Sequence, residues 1–175
     1  MFKNIVLPKQ KLEHQGRKTL VLDLDETLIH SENLPPPNKS QVKAFKIWWK
    51  NSTTDQNETA YTCLRPGVFE FLQTVNDIFE VVLFTASMPN YAREIVKLID
   101  RKGYNFPLLT RNQCTLTSSK YLKDLSILGR DLKSVIIVDN FPESYSKHPR
   151  NGLPIESWYD NPSDKQLKRM LIGKF

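Results

Sequence analysis

A three-layer α/β fold around a doubly wound parallel sheet, with a small β insertion near the crevice at its strand ends, is the architecture this sequence predicts. Two observations carry the prediction. Three short apolar runs, Thr19 to Leu24, Glu80 to Thr85 and Ser134 to Asp139, are apolar on both faces, the pattern of strands covered on both sides. They alternate with amphipathic helical patterns, which gives parallel strands joined by crossover helices. Each run also ends in polar residues: Asp23 to Thr27, Thr85 to Ser87, and Asp139 to Asn140.

Taken in order, residues 1–17 are a basic, polar lead-in and read as the cut end of a longer chain. A single domain is expected over 18–175, within the size range of one hydrophobic core. Thr19 to Leu24 is its first buried strand. The segment from Ser31 to Thr62 breaks the alternation. "NLPPPNKS" reads as a stiff spacer, with recognition by a proline-binding module as the rival use of Pro35 to Pro37. "FKIWW" puts Phe45, Ile47 and Trp49 on one face, "NSTTDQNET" is a polar turn, and "AYTCL" a returning strand. This insertion is either a satellite hydrophobic cluster or a lining for substrate.

From Pro66 to Ile78, Val68, Phe71, Leu72 and Val75 recur at helical spacing, with Pro66 suited to a first turn. From Ser87 to Gly103, Ala92, Ile95, Val96 and Ile99 make a second stripe, with Ser87 near the cap and Gly103 as the stop.

Composition excludes several classes. No apolar run approaches the ~20 residues that span a bilayer, so no membrane span is expected. The net charge is +6, but Lys and Arg are scattered, which argues for an anionic ligand over direct nucleic-acid binding. Cys63 and Cys114 lack the spacing of a disulfide framework or zinc site, so a reducing compartment, nuclear or cytoplasmic, is expected. His14, His30 and His148 are too scattered for a metal triad and read as surface side chains.

The chemistry concentrates at the strand ends. Asp23 and Asp25 are two apart on extended backbone, so their side chains lean to one side. Two adjacent carboxylates need a cation or a shared proton. Oxygen donors point to a hard divalent ion such as Mg²⁺, with Asn140 and Asp139 offering further oxygens. In open α/β sheets ligands bind beyond the carboxyl ends of the strands, so these groups are expected to converge.

"DLDETLIH" resembles the DxDx(T/V) signature of the haloacid-dehalogenase superfamily. Within it, the chain resembles phosphoprotein phosphatases related to those acting on the RNA polymerase II C-terminal domain. "VLFTAS", "YLKDLSILGRDL", "VDNFPESY" and "HPRNGLPIESWYDNPSD" follow in that family's order, covering about Lys18 to Leu171. A branch that dephosphorylates lipins at the nuclear envelope is similar too, a location that would need a further segment or partner. The resemblance implies a Mg²⁺-dependent phosphoserine/phosphothreonine phosphatase working through an aspartyl-phosphate. Asp23 would be the nucleophile, Asp25 the general acid/base, Thr85 a hydrogen-bond donor to the phosphoryl group and Lys123 its counter-charge. Asp23, the Asp25 main-chain carbonyl and Asn140 would hold Mg²⁺, with Asp139 in support; Arg111 and Tyr91 would bind substrate. The partner implied is a phosphorylated protein or peptide, with a regulatory subunit as a further partner. Two rival readings are a non-catalytic peptide binder of the same fold, which need not keep the full set of five polar residues, and a small-metabolite phosphatase, which would usually carry a larger cap.

Overall fold

The computed structural model describes residues 5–36 and 41–173. The last proline of the expected spacer, Pro37, lies outside the described residues. Five parallel strands form the central sheet: β1 (Thr19–Leu22), β5 (Glu80–Phe84), β6 (Leu108–Leu109), β9 (Val135–Asp139) and β10 (Gly152–Pro154), in the order β10-β9-β1-β5-β6. Leu20 pairs with Val81 on one side and Ile136 on the other. The chain first builds outward from β1 through β5 to β6, then returns to add β9 and β10 on the opposite side. β1 is therefore the switch point of the winding, where the crevice of such a sheet opens.

Alternation along the strands splits the core in two. Leu20, Leu22, Val81 and Leu83 face α1 (Val68–Ile78), α2 (Pro89–Ile99) and α3 (Gln166–Gly173), meeting Phe71, Ile95 and Met170. Val21, Val82, Phe84 and Ile137 face the other way. The expected second layer exists there, but it is built from 3₁₀ turns at Leu125–Leu128 and Pro142–Tyr145 together with Leu7. Short turns leave no helical period, which is why the sequence pattern did not reveal them. Leu7 also draws the lead-in onto the domain: it is buried, and the Val6 N–H donates to the Ile127 carbonyl. Gly152 lets β10 close on this layer, because a Cβ there would collide with the Tyr145 ring.

The insertion is a three-stranded antiparallel sheet, β2-β4-β3, of β2 (Ile29–Glu32), β3 (Ala44–Lys50) and β4 (Asn57–Leu64). It starts two residues earlier and ends two later than expected, because β2 is a short strand defined by its partner β4 and has no period of its own. Ile47 is buried and Trp48 exposed, as the alternation requires. Pro66 precedes α1 rather than entering it; Gly67, at φ 83°, makes the left-handed entry that a side chain would resist. Among the described residues no helix is long and apolar enough to cross a membrane.

A buried ion cluster ties the lead-in to the sheet. Glu80 on β5 accepts from Arg130 at 2.7 and 2.8 Å, from Thr19 at 2.8 Å and from Gln10 at 3.2 Å. Burial alone would raise the Glu80 carboxyl, but these donors override it and hold the group below the usual carboxylate range. A depressed native pKa gives stability that is present above the unfolded value of about 4.3 and lost as pH falls through the native one. Thermal melts between pH 7 and 3 are therefore expected to show a steeper acid loss for the natural chain than for Glu80→Gln, which is less stable at neutral pH but has lost this titration. Parallel curves would remove Glu80 as a source of acid sensitivity.

Candidate active site

Asp23 follows β1 directly, and its N–H still donates to the Val138 carbonyl at 3.0 Å, so it emerges beside the end of β9. Thr85 follows β5, with its N–H on the Leu109 carbonyl at 3.0 Å. Asp139 ends β9, and Asn140 comes next. Lys123 arrives from the far side, just after a two-stranded ribbon of β7 (Thr115–Leu116) and β8 (Tyr121–Leu122). These groups line one cavity of about 590 Å³ with Asp25 and Arg111. The convergence expected of the strand ends is what the fold produces.

Lys123 is the centre of charge. It is only 2% exposed, and its Nζ lies 2.5 Å from Asp23 Oδ1 and 2.6 Å from Asp139 Oδ2. Asp124, its neighbour in the chain, is instead taken by Lys147 and His148. Asp139 is itself fixed: the Ser144 hydroxyl donates to Oδ2 and the Phe141 N–H to Oδ1, both at 2.7 Å. Both its oxygens are thus committed, and its visible work is to hold Lys123 against Asp23.

Asp25 occupies a different environment. The Ser87 hydroxyl donates to Oδ2 at 2.7 Å, Thr85 to the same oxygen at 3.3 Å, and the Tyr91 phenol to Oδ1 at 2.7 Å. With the single phenol proton on Asp25, Ser31, 2.7 Å away, supplies the next donor, and Thr62 stands 2.7 Å behind Ser31. Both aspartates line one cavity, yet their carboxylates have separate partners. Ser87 was expected at the helix cap; instead Met88 holds that position without a side-chain bond, and Ser87 is turned to Asp25.

The remaining residues fall into place around this pair. Tyr91 bridges Asp25 to the insertion, its ring edge-on to Trp49 at 5.0 Å. The insertion therefore both joins the core, through Ile47 and Ala60, and touches the site. Arg111 donates through Nε to the Ala86 carbonyl at 2.7 Å and lies 4.8 Å over the Tyr121 ring, bracing the loop that carries Thr85 and Ser87. The three histidines are half-buried rather than surface groups; His30, for example, lies 3.0 Å from Glu26. A somewhat larger cavity, about 630 Å³, opens between His30, Tyr61 and Tyr159, but none of the converging polar groups above lines it.

The donor set fits a hard divalent cation. The Thr27 hydroxyl is 2.9 Å from Asp23 Oδ2 and 3.2 Å from Asn140 Oδ1, so the two oxygens face a common point. No group of three or more His, Cys, Asp or Glu side chains that would hold a metal occurs among the described residues, so a cation here would rely on Asn140 and a main-chain carbonyl beside Asp23. Burial pushes the Asp23 carboxyl up to about 7, with Asp139 and Asp25 adding to the rise and Lys123 opposing it. For Lys123, burial alone would lower the ammonium, but its two carboxylates override this and raise it. One lysine against three aspartates leaves excess negative charge, and an added cation would relieve it.

Sequence reasoning missed Thr27, Ser31, Ser87 and Ser144. Small hydroxyls carry no period; Thr27 and Ser87 lie in the polar strand ends after Asp23 and Thr85, whereas nothing in the chain pointed to Ser31 or Ser144.

A family model described as NLI interacting factor-like phosphatase matches residues 18–174. The chain is 42% identical over 166 residues to the human protein called carboxy-terminal domain RNA polymerase II polypeptide A small phosphatase 2, covering 95% of this chain and 59% of the relative. It is 44% identical over 158 residues to a probable C-terminal domain small phosphatase of Dictyostelium discoideum, covering 90% and 50% respectively. The chain thus spans only about half the length of such relatives. The solved structure of fission yeast RNA polymerase II CTD phosphatase Fcp1-R271A bound to beryllium fluoride superimposes with a TM-score of 0.70 at 22% identity, over 81% of this chain and 42% of that one.

Proposed function

Because the chain belongs to the NLI interacting factor-like phosphatase family, we propose that it is a Mg²⁺-dependent phosphoserine/phosphothreonine protein phosphatase acting through an aspartyl-phosphate, with peptides like the RNA polymerase II C-terminal domain as substrate class. The substrate class rests on the names of the relatives. The mechanism rests chiefly on one observation: two aspartates of one short motif sit in one cavity with opposite partners, an ammonium for Asp23 and hydroxyls for Asp25.

A phosphate dianion and a carboxylate repel, so attack needs positive charge already in place. Lys123 supplies part of it, pre-set by Asp139. Asp23, the Asp25 main-chain carbonyl and Asn140 would hold Mg²⁺, which when bound supplies the remaining positive charge. An Asp23 oxygen then forms a bond to phosphorus as the bond to the seryl or threonyl oxygen breaks. Asp25, in its acid form, gives that leaving oxygen a proton. In the second half a water attacks the phosphorus, Asp25 takes back a proton, and the bond from Asp23 to phosphorus breaks to release phosphate. Three hydroxyls donate to the Asp25 carboxyl, so turning it toward the leaving oxygen requires it to give up some of them; Thr85 is thereby freed to donate to the phosphoryl group. Tyr91 stays a neutral donor throughout, because burial first and the Asp25 charge second raise its phenol.

The test is phosphate release from a generic aryl phosphate with Mg²⁺ and after chelation. Turnover with Mg²⁺ and loss on chelation support the reading; equal, metal-independent rates overturn it.

A further inference from the structure

Two cations at the mouth of the catalytic cavity are not consumed by the chemistry at its floor. Lys123 is deep and spent on two carboxylates, whereas Lys120 is exposed on the turn between β7 and β8, and Arg111 is half-buried in the lining of the same cavity. Neither appears in an ion pair with a carboxylate among the described residues. Each is nonetheless placed. The Lys120 ammonium lies 5.3 Å from the Phe141 ring centroid and the Arg111 guanidinium 4.8 Å from that of Tyr121. Phe141 is 46% exposed and lines the same cavity, so its ring gives the ammonium a platform there.

From this arrangement we propose that Lys120 forms a subsite for a second anionic group on the substrate, next to the phosphoryl group being removed. This rests on the phosphatase reading above. A cavity of about 590 Å³ is far larger than one phosphoryl group requires. With the phosphoryl group on the floor, the residues flanking it lie along the mouth, where the exposed Lys120 ammonium, in no ion pair among the described residues, favours negative charge. A neutral flank gains nothing from it. The shared chemistry is an anion, and a Glu carboxylate or a second phosphate would each supply it.

The experiment compares kcat/KM, in low salt with Mg²⁺, for three phosphoserine peptides alike except for a flanking Ala, Glu or second phosphoserine, with an aryl phosphate alongside. The natural chain is expected to prefer the anionic flanks by about five-fold, more for the phosphate than for Glu, with the preference fading as salt rises. Lys120→Ala should reduce that ratio and Lys120→Glu should abolish or invert it, while Lys120→Arg retains it. Because the readout is a ratio within each variant, a general loss of activity does not imitate it. Equal rates on all three peptides, or a preference that survives Lys120→Glu, overturn the subsite. Absence of any turnover, aryl phosphate included, overturns the phosphatase reading instead.

Discussion

Asp23→Asn is expected to abolish phosphate release, by a factor on the order of 10⁴ or more, with the fold intact. The substitution keeps size and shape and removes the nucleophilic charge. An amide oxygen does not displace an alkoxide from phosphorus, and the uncatalysed reaction left behind is among the slowest known. Groups that act as a unit lose nearly everything when the nucleophile goes. Folding should survive, because Lys123 keeps its second partner Asp139 at 2.6 Å and the Thr27 hydroxyl still meets an oxygen acceptor. The check is turnover of an aryl phosphate beside a melting curve. A folded Asp23→Asn protein retaining more than about a hundredth of the natural rate would assign the nucleophile elsewhere.

Arg65→Met is expected to lower stability by about 3–5 kcal/mol. Arg65 is 1% exposed, the largest side chain so deeply buried among the described residues, and each nitrogen of its guanidinium is used. Nε and one amino group grip Asp164 at 2.9 and 3.1 Å, and the other donates to the Thr27 carbonyl at 3.0 Å. The residue thereby joins the start of α1, the segment leading into α3 and the loop that carries Asp23. Methionine fills much of the space but leaves Asp164 unpaired, and an uncompensated charge costs more than the pair contributes. At about 2–4 °C per kcal/mol for a domain of this size, the melting temperature should drop by roughly 10 °C. Arg65→Met with Asp164→Leu removes both charges and should recover a large part of the loss. A single variant that melts within about 2 °C of the natural chain would show that this bridge is not structural.

The order of strands and helices, and the concentration of chemistry at the strand ends, were legible in the residues. A run such as "VIIVD" that is apolar on both faces and then abruptly acidic has few explanations other than a covered strand emerging at a crevice. The roles of Asp23, Asp25, Thr85, Lys123 and Asn140 came from resemblance, and the fold does bring these five together. The hydroxyl relay through Ser31, Tyr91 and Asp25 was not legible, since 60 residues separate Ser31 from Tyr91 and neither position has a period that pairs them. The same holds for Ser87, whose place near a helix start fits an ordinary cap better than a hydrogen bond to an aspartate.

By itself the sequence determined what must be buried and what must come out of the core, because apolar periodicity is a local property and burial follows from it. Which polar group meets which was decided only by the tertiary structure. Lys123 could have paired with Asp124 beside it in the chain; it turns instead to Asp23, 100 residues away, and to Asp139. The reason is energetic: a buried ammonium is tolerated only where carboxylates are already positioned to receive it, and only the packed sheet places them there.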